Sequence, residues 1–193
     1  MVRLDEHHVG FYLADAMGHG VPASLLTVFL KKAVQPKEVN GSSYRLVPPG
    51  EVLARLNREL IAQGLAELPF VTMVYGLLDC RSGLVQFARA AHPHPVYLPH
   101  DGSPEQWQTP GTLLGVFEAE YPPMERIIRP GDRMLLYTDG LAETDAETNF
   151  VKMAASDPRP AAIQPLIDGL ADRVLSGPAQ KDDFTVLGLE MLA

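Results

Sequence analysis

The hydrophobic period of this chain changes near residue 70 from helical to β spacing, and that change restricts the fold more than any single motif. Before it, apolar residues recur at helical spacing. Leu25, Leu26, Phe29, Leu30 and Ala33 mark one face of a helix over residues 22–34. Val52, Leu53, Leu56 and Leu60 stripe a second helix over residues 50–63, with Gly64 suited to its C-terminal cap. Residues 36–49 between them are polar, carry Gly, Ser and Pro, and read as a loop. After residue 70 the apolar runs are short and β-rich. Residues 70–80 and 84–91 form a hairpin around Cys80-Arg81-Ser82-Gly83. Residues 95–99 give a short strand, and 101–111 a loop. Residues 125–128 and 133–138 flank the turn Arg129-Pro130-Gly131-Asp132. Residues 143–160 are irregular and polar. A third helix spans 161–175, with Ile163, Leu166, Ile167, Leu170 and Val174 on one side, and 184–192 closes as a strand. One more buried strand, residues 9–14, precedes the first helix and ends at Asp15. Hairpins flank helices with no βαβ rhythm, so the expected class is α+β, with antiparallel sheets covered by helices in one domain over 1–193.

Charge and composition narrow the function. The net charge of −8 opposes general affinity for nucleic acid or an anionic membrane. No run reaches the roughly 18 apolar residues of a membrane span, and residues 1–10 are too polar for a signal peptide. A cytoplasmic setting is the expectation. The lone Cys80 excludes an intramolecular disulfide and reads as a buried structural thiol. Its turn also lacks the longer phosphate-cradling loop that a Cys-dependent phosphatase needs.

Three distant segments each place an acidic residue at the edge of an apolar run: Ala14-Asp15-Ala16-Met17-Gly18-His19-Gly20, Tyr137-Thr138-Asp139-Gly140 and Lys181-Asp182-Asp183-Phe184-Thr185. Each has a bland reading. Asp15 could cap the following helix, Asp139-Gly140 could be an ordinary turn, and Asp182-Asp183 a solvated loop. His19, His92 and His94 suit hydrogen bonding within their turns. Yet carboxylates gathered from several strand ends are what hard divalent cations require, and paired cations hydrolyse phosphate esters.

The segments in order resemble a known family. Ala-Asp-Ala-Met-Gly-His-Gly-Val-Pro-Ala from Ala14 is similar to the "ADxxGHGxxA" motif of the metal-dependent protein phosphatase (PPM, 2C-type) superfamily, in its bacterial SpoIIE/RsbU-like branch. Phe70 to Tyr75 resembles its "FxTxxY" strand, Ala90-Ala91-His92-Pro93-His94-Pro95 its "AGHxPP" turn, and Leu113-Leu114-Gly115-Val116 its "PLGV" element. Pro130-Gly131-Asp132 with Tyr137 to Glu143 resembles "PGD…YTDGxxE", and Asp182-Asp183-Phe184-Thr185 resembles "DDxT".

The resemblance implies an antiparallel β-sandwich flanked by helices, with two Mn²⁺ or Mg²⁺ ions in a cleft. It implies Asp15 bridging the ions, the Ala16 carbonyl completing one site, Asp139 and Asp182 holding the other, and Asp183 supporting its loop. The implied reaction is hydrolysis of phosphoserine or phosphothreonine on a regulatory protein, such as an anti-sigma-factor antagonist, by a metal-activated water. An upstream sensor or receiver domain is a further implied partner. One family element, a "GGDxxD" strand ahead of the first motif, has no counterpart. The chain starts about where that strand would end, and Asp5-Glu6 falls in the turn that follows. The expectation is therefore a domain missing its upstream metal-binding strand, with a non-catalytic interaction module as the alternative.

Overall fold

The structure is a computed structural model that describes residues 1–18, 20–64, 70–140, 146–156, 162–176 and 183–192. They gather into two compact units. The first comprises Met1–His92 and Thr109–Ile127, the second Pro93–Gln108 and Ile128–Ala193.

In the first unit a five-stranded antiparallel sheet runs β1 (Val2–Arg3), β2 (His8–Ala16), β5 (Val71–Asp79), β6 (Leu84–Ala90) and β9 (Met124–Ile127) in spatial order. Helices α1 (Val21–Ala33) and α2 (Pro49–Ala62) cover one face. Their cover follows from alternation along the strands. Val71, Met73, Tyr75 and Leu77 of β5, with Ala14 and Ala16 of β2, meet Leu26 and Leu30 of α1 and Val52, Leu53, Leu56 and Leu60 of α2. Fully burying each such Leu or Val is worth about 1.5–3 kcal/mol. The stripe expected on α2 is buried in full, and Gly64 follows that helix at φ 57° in the left-handed region a C-terminal cap favours. On α1 the expected face is narrower than its spacing implied. Leu25 is 65% exposed, because it falls on the turn's outer side while Leu26 and Leu30 face inward.

Residues 36–49 are not a loop. They fold into a hairpin of β3 (Lys37–Asn40) and β4 (Ser43–Leu46) around Gly41, whose φ of 62° suits the first position of a two-residue hairpin turn. Val39 and Tyr44 on one face of the hairpin stay exposed, and its polar face is held by charge. Arg45 bonds Glu38 (2.7 Å) and reaches both oxygens of Glu51 on α2 (2.9 and 2.8 Å), and Arg55 closes the ring onto Glu38 and Glu51. Arg45, and then Arg55, hold the Glu51 carboxyl down to about 2. On the hairpin's other side, Tyr44 donates to Asp5 (3.0 Å) and the Lys37 ammonium to the Leu4 carbonyl (2.9 Å). Asp5 itself caps the β1–β2 turn, accepting from the amides of His7 and His8 (both 2.8 Å). Cys80 is exposed in the β5–β6 turn rather than buried, since its amide closes onto the His7 carbonyl (2.7 Å) at the edge of the sheet.

In the second unit a four-stranded antiparallel sheet runs β11 (Val186–Glu190), β10 (Arg133–Tyr137), β7 (Val96–Leu98) and β8 (Glu105–Gln106). Two helices, α3 (Ala146–Ser156) and α4 (Ile163–Leu175), pack with it. Phe150, Ala154, Leu166 and Leu170 bury against Val96, Leu98, Leu135 and Tyr137. Helix α3 lies where the sequence reads as irregular. Its apolar signal is short, and Phe150 stacked on Tyr137 (centroids 4.0 Å apart) anchors it. Helix α4 has no capping side chain of its own. Glu190 of β11 accepts from the Ile163 amide (3.3 Å) and pairs with buried Arg133 (2.7 Å), so one carboxylate serves helix and strand.

Asp132 organises this unit. It is 3% exposed and accepts from the Tyr97 hydroxyl (2.6 Å) and from the amides of His100 and Arg129 (both 2.7 Å). Burial pushes its carboxyl up, but the Tyr97 bond and then the two amides outweigh that and hold it below the usual range. A depressed folded value contributes stability above the unfolded value of about 3.9 and loses it as pH falls through the folded one. Asp132→Asn turns an amide N–H₂ toward at least one of these donors, the His100 amide on Oδ1 or the Tyr97 hydroxyl and Arg129 amide on Oδ2. It should cost about 2–3 kcal/mol at pH 7 in urea titrations, and the gap to the parent should narrow at pH 3.

The turn after β6 is strained. Ala91 sits at φ 52°, the one non-glycine residue at positive φ among those described. The left-handed region costs such a residue about 1–2 kcal/mol, and glycine gives part of that back through its freer unfolded chain. Ala91→Gly should therefore raise stability by up to about 1 kcal/mol in thermal melts.

Candidate functional site

Asp15 lies inside β2 rather than beyond its end. The β2–β5 pairing is in register for nine residues, and places Asp15 opposite Thr72 and Ala16 opposite Val71. The ladder runs on past the strand through the Met17 amide to the Phe70 carbonyl (3.0 Å). Ala14 and Ala16 face the helices, so by strand alternation Asp15 points from the opposite face of the sheet, where it is half-buried. The chain then turns through Gly18 (φ 96°) and Gly20 (φ 78°), conformations that glycine adopts freely, and α1 starts at Val21. No side chain caps α1, so Asp15 is not its N-cap. His19 lies outside the described residues.

Asp139 follows β10 at once and is exposed, between buried Thr138 and buried Gly140. Thr138 ties this strand end to the segment that precedes β11. Its amide donates to the Thr185 carbonyl (3.0 Å), and its hydroxyl accepts from the Thr185 amide (2.9 Å) and faces the Asp183 carbonyl (3.4 Å). Asp183 is exposed, and Asp182 lies outside the described residues. Asp15 and Ala16 thus belong to the first unit and Asp139 to the second. Among the described residues no three His, Cys, Asp or Glu side chains cluster to hold a metal ion.

Three supporting residues have roles that only the fold shows. Thr138 is one. Asn57 is another: it is 1% exposed on α2, donating to the Phe117 carbonyl (2.9 Å) and accepting from the Gly115 amide (2.7 Å). Its signal was a polar residue in the apolar stripe, four positions after Leu53. The third is Thr72, whose hydroxyl bonds Nδ1 of His92 at 2.8 Å. His92 is 1% exposed, and its carbonyl accepts from Arg89 (2.6 Å), which also reaches the Thr109 carbonyl (2.8 Å). His92 therefore serves hydrogen bonding around its turn, in line with the expectation for it.

Comparison with known proteins fits this arrangement. Residues 5–192 match the SpoIIE family, described as stage II sporulation protein E. Phosphoserine phosphatase RsbU of Bacillus subtilis is 27% identical over 150 residues, which are 77% of this chain and 43% of RsbU. The structure of the RsbU and RsbW domains of Rv1364c from Mycobacterium tuberculosis superimposes with a TM-score of 0.80 at 26% identity, over 95% of this chain and 52% of that one. The PP2C phosphatase domain of SpoIIE from Bacillus subtilis gives a TM-score of 0.76 at 16% identity, over 98% of this chain and 56% of that one, a likeness of fold alone. The chain thus spans less than half the length of RsbU. With nearly its whole length matched, and with the α+β fold of PP2C-type phosphatases, the chain belongs to the SpoIIE family.

Proposed function

We propose that this chain is a metal-dependent protein serine/threonine phosphatase of bacterial signalling, acting on a phosphoserine or phosphothreonine of a regulatory protein such as an anti-sigma-factor antagonist. Both units together form the single phosphatase domain. The observation that carries the reading is the setting of Asp15 within a SpoIIE-family chain. It is fixed inside a nine-residue ladder, half-buried, and followed directly by a double-glycine turn. That RsbU is a phosphoserine phosphatase supports the substrate chemistry.

The assigned ligands are Asp15, the Ala16 carbonyl, Asp139 and Asp182, sharing two Mn²⁺ or Mg²⁺ ions. The donor set fits hard cations, since carboxylates and a carbonyl are the oxygen ligands such ions take, and neither thiolate nor imidazole is needed. Divalent cations bound there supply an acidified water and neutralise phosphoryl charge. The protein's own work is to present oxygens at fixed places. The ladder immobilises the backbone of Asp15 and Ala16, and the Thr138 bonds fix the strand end that carries Asp139. Preorganised oxygens need no rearrangement when charge develops on the substrate. No covalent nucleophile is required, and Cys80 stands in a turn of its own.

Hydrolysis of a small aryl phosphate tests the assignment. The parent should turn over with Mn²⁺, lose activity in EDTA and recover it on adding metal back. Asp15→Asn and Asp139→Asn should each lose at least about 10³-fold in turnover while melting like the parent. Turnover retained in Asp139→Asn would sink the ligand assignment. A parent inert in Mn²⁺ would favour a non-catalytic binding module.

A further inference from the structure

We infer that the Thr72–His92 pair is a positioning element for Asp15: His92 Nδ1 accepts the hydrogen bond that the Thr72 hydroxyl donates and so keeps that hydroxyl from competing with a cation for the Asp15 carboxylate. The inference rests on the assignment of Asp15 as a cation ligand.

Three observations within the first unit lead to it. Thr72 is directly opposite Asp15 in the β2–β5 ladder. Residues so paired carry their Cβ atoms on the same face, about 4.5–5.5 Å apart. The Thr72 hydroxyl is therefore the nearest side-chain donor that the register itself brings to Asp15. A carboxylate only accepts hydrogen bonds, so a hydroxyl turned toward it donates and occupies an oxygen that a cation would use. In this structure the hydroxyl is turned instead to Nδ1 of His92 at 2.8 Å. A β-branched side chain has few χ1 wells, so that bond selects one rotamer against the rest.

The second observation is what the fold commits to placing His92. The ring is 1% exposed and is reached through Ala91 at φ 52°. The Arg89 guanidinium then fastens the His92 carbonyl (2.6 Å) and the Thr109 carbonyl (2.8 Å) together. The third is that Gly111 lies so close to this clamp that a Cβ there would stand 1.7 Å from the Arg89 carbonyl oxygen. Strain, a part-buried guanidinium clamp and a backbone approach that only glycine allows all fix the main chain that carries one imidazole. Its bond on the Asp15 side of the sheet is the one to Thr72.

If Thr72 donates, His92 Nδ1 must be the acceptor, and the neutral ring carries its proton on Nε2. Nitrogen-15 NMR of the metal-free protein reads this directly, with the His92 signals assigned by their absence in His92→Leu. An unprotonated Nδ1 is expected; a protonated Nδ1 would overturn the inference whatever the metal does. The second measurement is Mn²⁺ affinity by calorimetry. His92→Leu releases the Thr72 hydroxyl and should weaken binding about tenfold, the weight of one hydrogen bond to a charged group. Adding Thr72→Val removes the competing donor, so the double variant should bind at least about fivefold more tightly than His92→Leu alone. Thr72→Ser in the His92→Leu background keeps the donor and should not rescue. A merely structural His92 predicts a double variant no better than the single, and that result would overturn the inference. Asp15→Asn separates the two readings. If the parent binds Mn²⁺ and Asp15→Asn does not weaken it, the ligand assignment fails. If Asp15→Asn abolishes binding but Thr72→Val gives no rescue, the assignment stands and the positioning role falls.

Discussion

The first unit depends on the register of β2 against β5. Nine consecutive pairs place every second β2 residue on the helix-covered face and Asp15 on the other. The strand period is two, so a slip of one residue would turn Ala14 and Ala16 away from the helices and drive Asp15 against them. Burying an unpaired carboxylate among Leu and Val is costly enough that the slipped register has no competing minimum. The core that stabilises the sheet is thus the same agent that aims the carboxylate. Gly76 belongs to this pairing too. It lies opposite Phe11, whose ring occupies the space a Cβ would take (2.2 Å from Cζ), so even the small residues of β5 are set by what β2 carries.

The second unit solves a similar problem with polar atoms. Asp132 fixes the entry to β10 and the Thr138 bonds fix its exit, just before Asp139. The strand between them is buried throughout. A carboxylate at a strand end inherits the rigidity of whatever pins that end, and here the pins are hydrogen bonds to main-chain atoms on neighbouring segments.

Much of this was legible in one dimension, and the omissions have physical reasons. Apolar runs bounded by Gly and Pro found β2, β5, β6, β7, β9, β10 and β11, and 3.6-residue spacing found α1, α2 and α4; the two-residue strands β1 and β8, the latter inside residues 101–111 read as a loop, carry too little signal. The β3–β4 hairpin escaped because its apolar signal is thin: Leu46 packs against the core, while Val39 and Tyr44 stay exposed. It is held by Glu38, Arg45, Tyr44 and Lys37, whose partners lie on α2 and in the β1–β2 turn. Helix α3 escaped because its amphipathic signal is short, with Phe150 and Ala154 as its buried members. At the candidate site the acidic residues, Thr72 and Thr138 all stood within motifs, but the bonds of the two threonines were not visible. Nothing local marks Thr72 as the partner of Asp15, since that fact lives in the pairing of two strands more than fifty positions apart. Thr138 and Thr185, 47 positions apart, likewise meet only through the fold. Cys80 and Leu25 went the other way, because apolar character predicts burial only on average.

Asn57 carries a consequence in the chemistry of ageing. Its side chain donates through nitrogen to the Phe117 carbonyl and accepts through oxygen from the Gly115 amide. Both ends of the amide are in use, in a place water does not reach. Deamidation, which exchanges that nitrogen for oxygen and changes the shape hardly at all, would leave a negative charge facing a carbonyl. A lesion invisible to packing would then release the 115–117 turn from α2, and the helix would keep its apolar contacts while losing its one polar tether to that segment.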